Sequence, residues 1–168
     1  DGRIRPPGEF IEALSGSPLE ARVGDWVIDE ALRQQRAWHE QGLTLPVSVN
    51  VSADHLLSDD FVPMLKAALQ RHGVVPPRLL VLEILETSRI SDFNRVCQRL
   101  LECKALGVLF SLDDFGTGYS SMTYMRQLPV DALKIDRSFV HTMLESEADL
   151  SIVKGIIGLG RAFDRMVI

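Results

Sequence analysis

The chain has 168 residues, of which 46% are hydrophobic and 24% are charged, a composition typical of one globular domain with a buried core. Its 18 basic and 23 acidic residues give a formal net charge of −5, which argues against broad electrostatic binding to a DNA or RNA polymer. No apolar run reaches the roughly 20 residues of a transmembrane helix, and the first residues lack the layout of a signal peptide. We therefore expect a cytoplasmic domain, although other domains of a full-length protein could anchor it to a membrane.

The predicted elements alternate between amphipathic helices and short apolar strands. Apolar residues at helical spacing predict a helix over residues 18–41, and Gly42 ends it. Residues 45–52 predict a strand, because β-branched residues alternate there with small polar ones. A helix follows over residues 59–72, where "SDD" at residues 58–60 offers an N-terminal cap. Residues 78–85 then form a run of Leu, Val and Ile, which predicts a parallel strand buried on both faces.

The same alternation continues to the end of the chain. The further predicted elements are a helix over residues 91–106, a strand over 108–114, a short helix over 120–127, a strand over 132–136, a helix over 147–163 and the start of a strand at 165–168. Successive strand–helix units predict a parallel α/β protein. No low-complexity segment or linker indicates a second domain.

Polar side chains occur near the carboxyl end of each predicted strand. They are Asn50, Glu83, Glu86, Asp113, Asp114, Lys134 and Asp136. Because the carboxyl ends of parallel strands open on the same side of a fold, we expect these side chains to converge. Carboxylate and amide oxygens are the ligands that hard divalent cations prefer. The pattern therefore predicts a cation site at this edge.

Each of these residues also has a purely structural interpretation. Asn50 could bind a neighbouring loop, and Glu83 could form a buried salt bridge within its apolar strand. The adjacent aspartates could cap the following helix, and Lys134 could simply pair with Asp136 or with Glu83. Polar residues at the ends of four successive strands nevertheless favour a functional site.

The cysteines and histidines predict neither a disulfide nor a metal site. Cys97 and Cys103 point to different faces of a predicted helix, so we expect two partly buried thiols in a reducing cytoplasm. No two histidines have the spacing of metal ligands. All four are interpreted as surface or edge residues: His39, His55, His72 and His141.

Four segments, in this order, resemble the EAL-domain family of cyclic di-GMP phosphodiesterases: "SVNVSA", "LEILE", "LDDFGTGYSS" and "LPVDALKIDRSFV". "PPGEFI" and "GDWVIDEALRQQRAW" fit the same pattern, so the resemblance extends over virtually the whole chain. It implies an α/β fold, a modified TIM (β/α)8 barrel that is incomplete here, with about five of the eight strands of such a barrel. It also implies a single EAL domain over residues 1–168, truncated at both ends.

The resemblance further implies hydrolysis of cyclic di-GMP to linear pGpG with two Mg²⁺ or Mn²⁺ ions. The residues that correspond to the family's metal ligands are Asn50, Glu83, Asp113 and Asp114, and the last of these serves the second metal. We expect hydrolysis by the complete domain rather than by the 168 residues alone.

Other positions correspond to residues that assist catalysis or regulation in the family. Lys134 matches a lysine that contacts the nucleophilic water, and Glu86 matches the glutamate that steadies the loop after the aspartates. That loop also contributes to a homodimer contact in the family. Its residues here are Phe115, Gly116, Thr117, Gly118, Tyr119 and Ser120.

The chain departs from the family pattern in three places. The family's Glu-Ala-Leu segment lies on an early strand, whereas the two EAL tripeptides here, at residues 12–14 and 30–32, have other contexts. A later Ala-Glu-Gly-Val-Glu segment of the family would follow "RMVI" at the end of the chain. We therefore expect this chain to be an excerpt of a longer domain. Leu85 replaces a threonine of the family, for which we expect a modest effect.

Two functions remain open from the sequence. The first is a cyclic di-GMP phosphodiesterase, and the second is a catalytically inactive EAL domain that acts as a cyclic di-GMP receptor or regulatory module. An unrelated phosphate-binding barrel is disfavoured by the ordered motifs. Every metal-ligand position within the chain carries the expected residue, which favours the enzyme. GGDEF or sensor domains, frequent in the family, could flank the domain in a full-length protein.

Overall fold

A computed structural model of the chain describes residues 6–14, 16–73, 76–85, 92–117 and 122–168. In chain order, its elements are α1 (Ile11–Leu14), α2 (Leu19–Glu40), β1 (Val47–Asn50), α3 (Ala53–Leu57), α4 (Phe61–Arg71), β2 (Leu80–Leu85), α5 (Phe93–Lys104), β3 (Leu109–Phe115), α6 (Met122–Gln127), β4 (Ala132–Ile135), α7 (Arg137–Thr142), α8 (Glu147–Ala162) and β5 (Met166–Val167). Short 3-10 turns lie at Pro7–Glu9 and Pro77–Leu79.

The strands that the structure describes form one sheet in the order β1-β2-β3-β4-β5. Every neighbouring pair is parallel, and each connection between consecutive strands contains at least one helix. Parallel strands require such crossovers, because the chain must return to the same end of the sheet before each new strand. The predicted parallel α/β architecture is therefore confirmed.

The two faces of the sheet differ in burial. Val49, Leu82 and Phe110 are mutual register neighbours on β1 to β3, and they are buried in the core with helix residues such as Ile28 and Leu100. Successive residues of a strand point to opposite faces, so the alternate residues line the second face. Several of those residues are more exposed, among them Ser48, Val81 and Leu109, whereas Glu83 and Ser111 on the same face are buried. In a closed barrel this second face would be the interior; here the sheet does not close, and the barrel is incomplete in this chain.

The prediction that residues 78–85 are buried on both faces is wrong for Leu85, which is 43% exposed. Within the described residues, no second layer covers the open face of the sheet at this point. An apolar run in the sequence indicates that a strand belongs in a hydrophobic core. The strand is buried on both faces only where a second layer packs against the sheet.

The predicted acidic cap of residues 59–72 is also wrong. Asp60 occupies the position before α4 with helical backbone angles, φ −84° and ψ −11°, and makes no side-chain cap bond. A capping side chain needs an extended backbone to reach back to the first turn. Ser52 and Ser146 meet that condition and cap α3 and α8.

Two histidines interpreted as surface residues are buried instead. His55 is only 4% exposed, and its Nε2 lies 2.7 Å from Asp25 Oδ1 on α2. His72 Nε2 lies 3.0 Å from Asp29 Oδ1 on the same helix. Both rings bind carboxylates of α2, which satisfies polar groups that would otherwise be costly to bury.

Two further predictions from the sequence concern the cysteines and membrane-spanning helices. Cys97 and Cys103 are both free thiols, and burial raises the pKa of Cys103 to about 12. Across the described part of the chain, no helix combines the length and the apolar character that crossing a membrane requires.

Candidate metal and active site

The sheet register brings the predicted site residues to one edge. Asn50 and Glu83 are partners in the register of β1 and β2, and Ser111 of β3 pairs with Glu83. Asp113 lies two residues beyond Ser111, so its side chain returns to the same face. These polar side chains therefore stand at the carboxyl end of the sheet, on its open face.

Lys134 of β4 forms ion pairs with one residue of β2 and one of β3. Its Nζ lies 2.8 Å from Glu83 Oε2 and 2.9 Å from Asp113 Oδ1. Burial by itself would lower the pKa of Lys134, but the hydrogen bonds to both carboxylates outweigh it and raise the pKa above its ordinary value. The Lys134–Glu83 ion pair, one of the alternatives raised by the sequence, is thus present.

The aspartates lie in an irregularity of β3. Leu112 pairs with Leu133 and Phe115 pairs with Ile135, so β3 has two residues between these pairs where β4 has one. Asp114 has a φ of 55°, in the left-handed region, where aspartate is found more often than most residues. Bulges of this kind re-aim side chains at the ends of strands. The alternative that these aspartates cap the next helix is wrong, because they lie within β3 and α6 begins only at Met122.

Negative charge accumulates around Asp114. Burial raises the pKa of its carboxyl, and the carboxylates of Asp113 and Asp136 raise it further. The Asp114 and Asp136 side chains share a hydrogen bond, while Lys134 has the opposite effect on Asp114. Asp136 itself is kept acidic by hydrogen bonds from the hydroxyl and backbone N–H of Ser138, which lower its pKa. Four carboxyl groups, with Glu83 the fourth, are therefore offset locally by one ammonium.

These donors fit a divalent cation. Carboxylate and amide oxygens are hard ligands, and the Glu83 and Asp113 oxygens converge on a single positive charge. Among the residues that the structure describes, no three acidic, histidine or cysteine side chains form a complete metal site by themselves. The assignment of Asn50, Glu83 and Asp113 as metal ligands therefore stays a prediction.

Two further polar residues near this edge were not assigned a role from sequence. Asp136 is predicted from sequence only to join the polar strand ends or to pair with Lys134, and its contact with Asp114 depends on the bulge, which no sequence pattern reveals. Ser111 is 1% exposed, and its Oγ has no hydrogen-bond partner in the described part of the chain. A lone serine within an apolar strand does not by itself indicate a functional residue.

The loop after the aspartates is described only at its start. Phe115 is buried, Gly116 has a φ of 105°, and Thr117 Oγ1 donates a hydrogen bond of 2.9 Å to the Asp114 carbonyl. Four residues assigned to the site or its loop lie outside the described residues: Glu86, Gly118, Tyr119 and Ser120. Their roles stay predictions.

Comparison with known proteins identifies the family of the chain. The family model "EAL domain" matches residues 1–168. The chain is 38% identical over 168 residues to the signaling protein YkoW of Bacillus subtilis, a match that covers 100% of this chain and 21% of YkoW. It is 37% identical over 163 residues to the bifunctional diguanylate cyclase/cyclic di-GMP phosphodiesterase MucR of Pseudomonas aeruginosa, covering 96% of this chain and 24% of MucR.

A solved structure shows the same fold. The MucR phosphodiesterase in complex with c-di-GMP superposes with a TM-score of 0.89 at 37% sequence identity, over 96% of this chain and 65% of that one. The chain thus spans less than a quarter of the curated relatives and about two thirds of the solved domain chain. With a family match over its whole length and a fold shared at this level, the chain belongs to the EAL-domain family.

Proposed function

We propose that the domain containing this chain is a metal-dependent phosphodiesterase that hydrolyses cyclic di-GMP to linear pGpG. The observation that carries the proposal is the convergence of Glu83, Asp113 and Lys134 at the carboxyl edge of the sheet, with Asn50 and Asp114 beside them. The similarity to MucR, a bifunctional diguanylate cyclase/cyclic di-GMP phosphodiesterase, and the c-di-GMP in the solved MucR complex support the choice of substrate.

The residues of this edge have complementary roles in the proposal. Asn50, Glu83 and Asp113 would hold one Mg²⁺ or Mn²⁺ ion, and Asp114 would help to hold a second. Such ions, when bound, supply an activated water and neutralise charge on the phosphodiester. Lys134 keeps its proton because of its carboxylate partners, so it can orient a water or offset the charge that develops on phosphate oxygens.

Further parts of the proposal rest on the family resemblance. Glu86 would steady the loop after the aspartates, and that loop would contribute to a homodimer. The 168 residues would belong to a single EAL domain, with GGDEF or sensor domains as candidate neighbours. Two free thiols support a reducing compartment such as the cytoplasm.

Product analysis tests the proposal. The complete domain with its native flanks is incubated with cyclic di-GMP and Mg²⁺ or Mn²⁺, and the nucleotides are separated by chromatography. We expect linear pGpG from the parent and no product from Asp113→Asn, whose circular dichroism should match the parent. Asp131→Asn is the matched control, because Asp131 also pairs with a lysine but lies at the opposite edge of the sheet. It should keep its turnover.

Two outcomes would contradict the proposal. Intact cyclic di-GMP retained by the parent would assign the domain as a receptor, the alternative raised by the sequence. Normal turnover in Asp113→Asn would remove Asp113 from the catalytic residues.

A further inference from the structure

The first turn of α7 contacts the bulge that carries the two aspartates. The backbone N–H of Asp136, the N-cap of α7, donates to the Phe115 carbonyl at 3.3 Å. The Asp136 side chain shares a hydrogen bond with that of Asp114. One turn into the helix, the ring of Phe139 lies against Gly116: a Cβ built on Gly116 would be 3.0 Å from Phe139 Cε2. The bulge is therefore contacted at three successive residues.

The bulge contains two residues with a left-handed backbone. Asp114 has a φ of 55° and Gly116 a φ of 105°. Glycine adopts this region freely, whereas for a residue with a side chain it is less favourable, although less so for aspartate than for most, and such a position is held by its surroundings. The Thr117 hydroxyl binds the Asp114 carbonyl from within the turn. Phe139 and Asp136 of the α7 segment contact it from outside.

The end of α7 is bonded in turn to α8. Thr142 Oγ1 at the end of α7 donates a 2.6 Å hydrogen bond to Asp149 Oδ2 in the first turn of α8. Ile156 of α8 is buried in the core, and its Cδ1 would lie 3.2 Å from the same Cβ built on Gly116. Gly116 thus lies between a side chain fixed in the core and the ring of Phe139, where an added Cβ would require one of them to shift by a few tenths of an ångström.

We propose that Phe139 is a positioning residue that holds the Asp113–Asp114 bulge, and through it the Asp114 carboxylate, in the geometry for divalent-cation binding. This inference rests on the proposed metal-dependent function and extends it to a residue outside the cation site. Without the ring, the bulge can adopt other backbone conformations. Part of the free energy of cation binding must then return the bulge to the binding geometry, which lowers the affinity for the cation.

Cation binding without substrate tests the inference. Mn²⁺ affinity of the complete domain is measured by isothermal titration calorimetry for the parent, Phe139→Ala, Phe139→Leu and Phe163→Ala. Phe163 is the matched control, because it is a half-buried phenylalanine that packs on the core at the end of α8. We expect Phe139→Ala to weaken Mn²⁺ binding about tenfold, Phe139→Leu to recover most of that loss, and Phe163→Ala to lower the melting temperature with parental Mn²⁺ affinity.

The outcomes separate this inference from the proposed function. Parental Mn²⁺ affinity in Phe139→Ala, or an equal loss in Phe163→Ala, overturns the positioning role. If Phe139→Ala does not fold, Gly116→Ala tests the same contact from the bulge. Weakened Mn²⁺ binding in a folded Gly116→Ala variant supports the inference, and parental affinity overturns it. A parent that binds Mn²⁺ without hydrolysing cyclic di-GMP contradicts the proposed function, while the variants still decide the role of Phe139. A parent that binds no Mn²⁺ overturns both.

Discussion

The side chain of Glu83 is only 7% exposed, and its carboxylate shares the ammonium of Lys134 with Asp113. A buried carboxylate that loses its partner destabilises a fold strongly, whereas one that keeps a partner is close to neutral. Lys134 therefore has two roles at the residue scale. It stabilises the folded state, and it places a permanent positive charge beside the oxygens that would bind a cation.

Substituting Lys134 separates these roles. We expect Lys134→Met to lower the free energy of unfolding by about 1–3 kcal/mol in EDTA, because Glu83 then lacks its ionic partner. Added Mg²⁺ should recover much of this loss, since a ligand that binds only the folded state stabilises it. Thermal unfolding of the complete domain with and without Mg²⁺ measures the effect.

Lys104→Met is the matched control for this substitution. Lys104 pairs with Asp131 at the opposite edge of the sheet, so Mg²⁺ should stabilise this variant only as much as the parent and leave the difference between the two unchanged. Equal recovery in both variants, or recovery in neither, would contradict the cation site.

Asp114 provides a second test at the residue scale. We expect Asp114→Asn to lower kcat by about a hundredfold or more, the effect of removing one group that stabilises charge in a transition state. Asparagine tolerates a left-handed backbone as aspartate does, so the fold should persist. Asp164→Asn is the control, because Asp164 has a φ of 54° and lies before β5 rather than at the carboxyl edge. An unchanged kcat in Asp114→Asn would exclude Asp114 from catalysis.

At the scale of elements, the packing of α8 against β5 depends on a glycine. A Cβ built on Gly160 would lie 2.2 Å from Val167 Cγ2 and 3.1 Å from the Arg165 carbonyl oxygen. Real side chains do not approach so closely, so alanine at this position must push the strand away from the helix. Gly158 lies in the same helix with no heavy atom within 4 Å of its built Cβ.

These two glycines should respond to alanine in opposite directions. Gly160→Ala should lower the free energy of unfolding of the complete domain by about 1–3 kcal/mol, the usual cost of overpacking. Gly158→Ala should raise it by about 0.4–1 kcal/mol, because alanine loses less backbone entropy on folding. Urea denaturation measures both values. A stabilised Gly160→Ala variant would show that β5 does not pack on α8 as described.

The element predicted most closely is the one with the longest pattern. The helix over 18–41 is observed as Leu19–Glu40, because 22 residues repeat the apolar spacing many times. The helices α3 and α7, with five and six residues, were missed, since so few residues show little of a helical period. The burial of His55 could not be predicted either, because its partner Asp25 comes from a helix 30 residues earlier.

At the scale of the whole molecule, parallel strand order places the site. All strands in the described residues run in one direction, so one edge of the sheet collects every carboxyl end. Sequence spacing alone could therefore predict that Asn50, Glu83, Asp113 and Lys134 come together. It could not predict which atoms touch, because the bulge in β3 and the contact of Asp136 with Asp114 depend on tertiary packing.

In the part of the chain that the structure describes, no layer covers the face of the sheet opposite the helices, and the candidate site lies at the rim of that face. No group of three or more acidic, histidine or cysteine side chains suited to a metal ion occurs among these residues. The central claim is therefore best tested in the complete domain. That claim is that Asn50, Glu83, Asp113 and Asp114 bind divalent cations.

Anomalous scattering from Mn²⁺ in crystals of the complete domain with cyclic di-GMP tests it most directly. We expect anomalous peaks within coordinating distance of the Glu83, Asp113 and Asp114 carboxylates, beside the Asn50 amide and next to the substrate phosphate. Anomalous peaks located only elsewhere would contradict the account. So would cyclic di-GMP bound at this edge without Mn²⁺, with Lys134 still paired with Glu83 and Asp113.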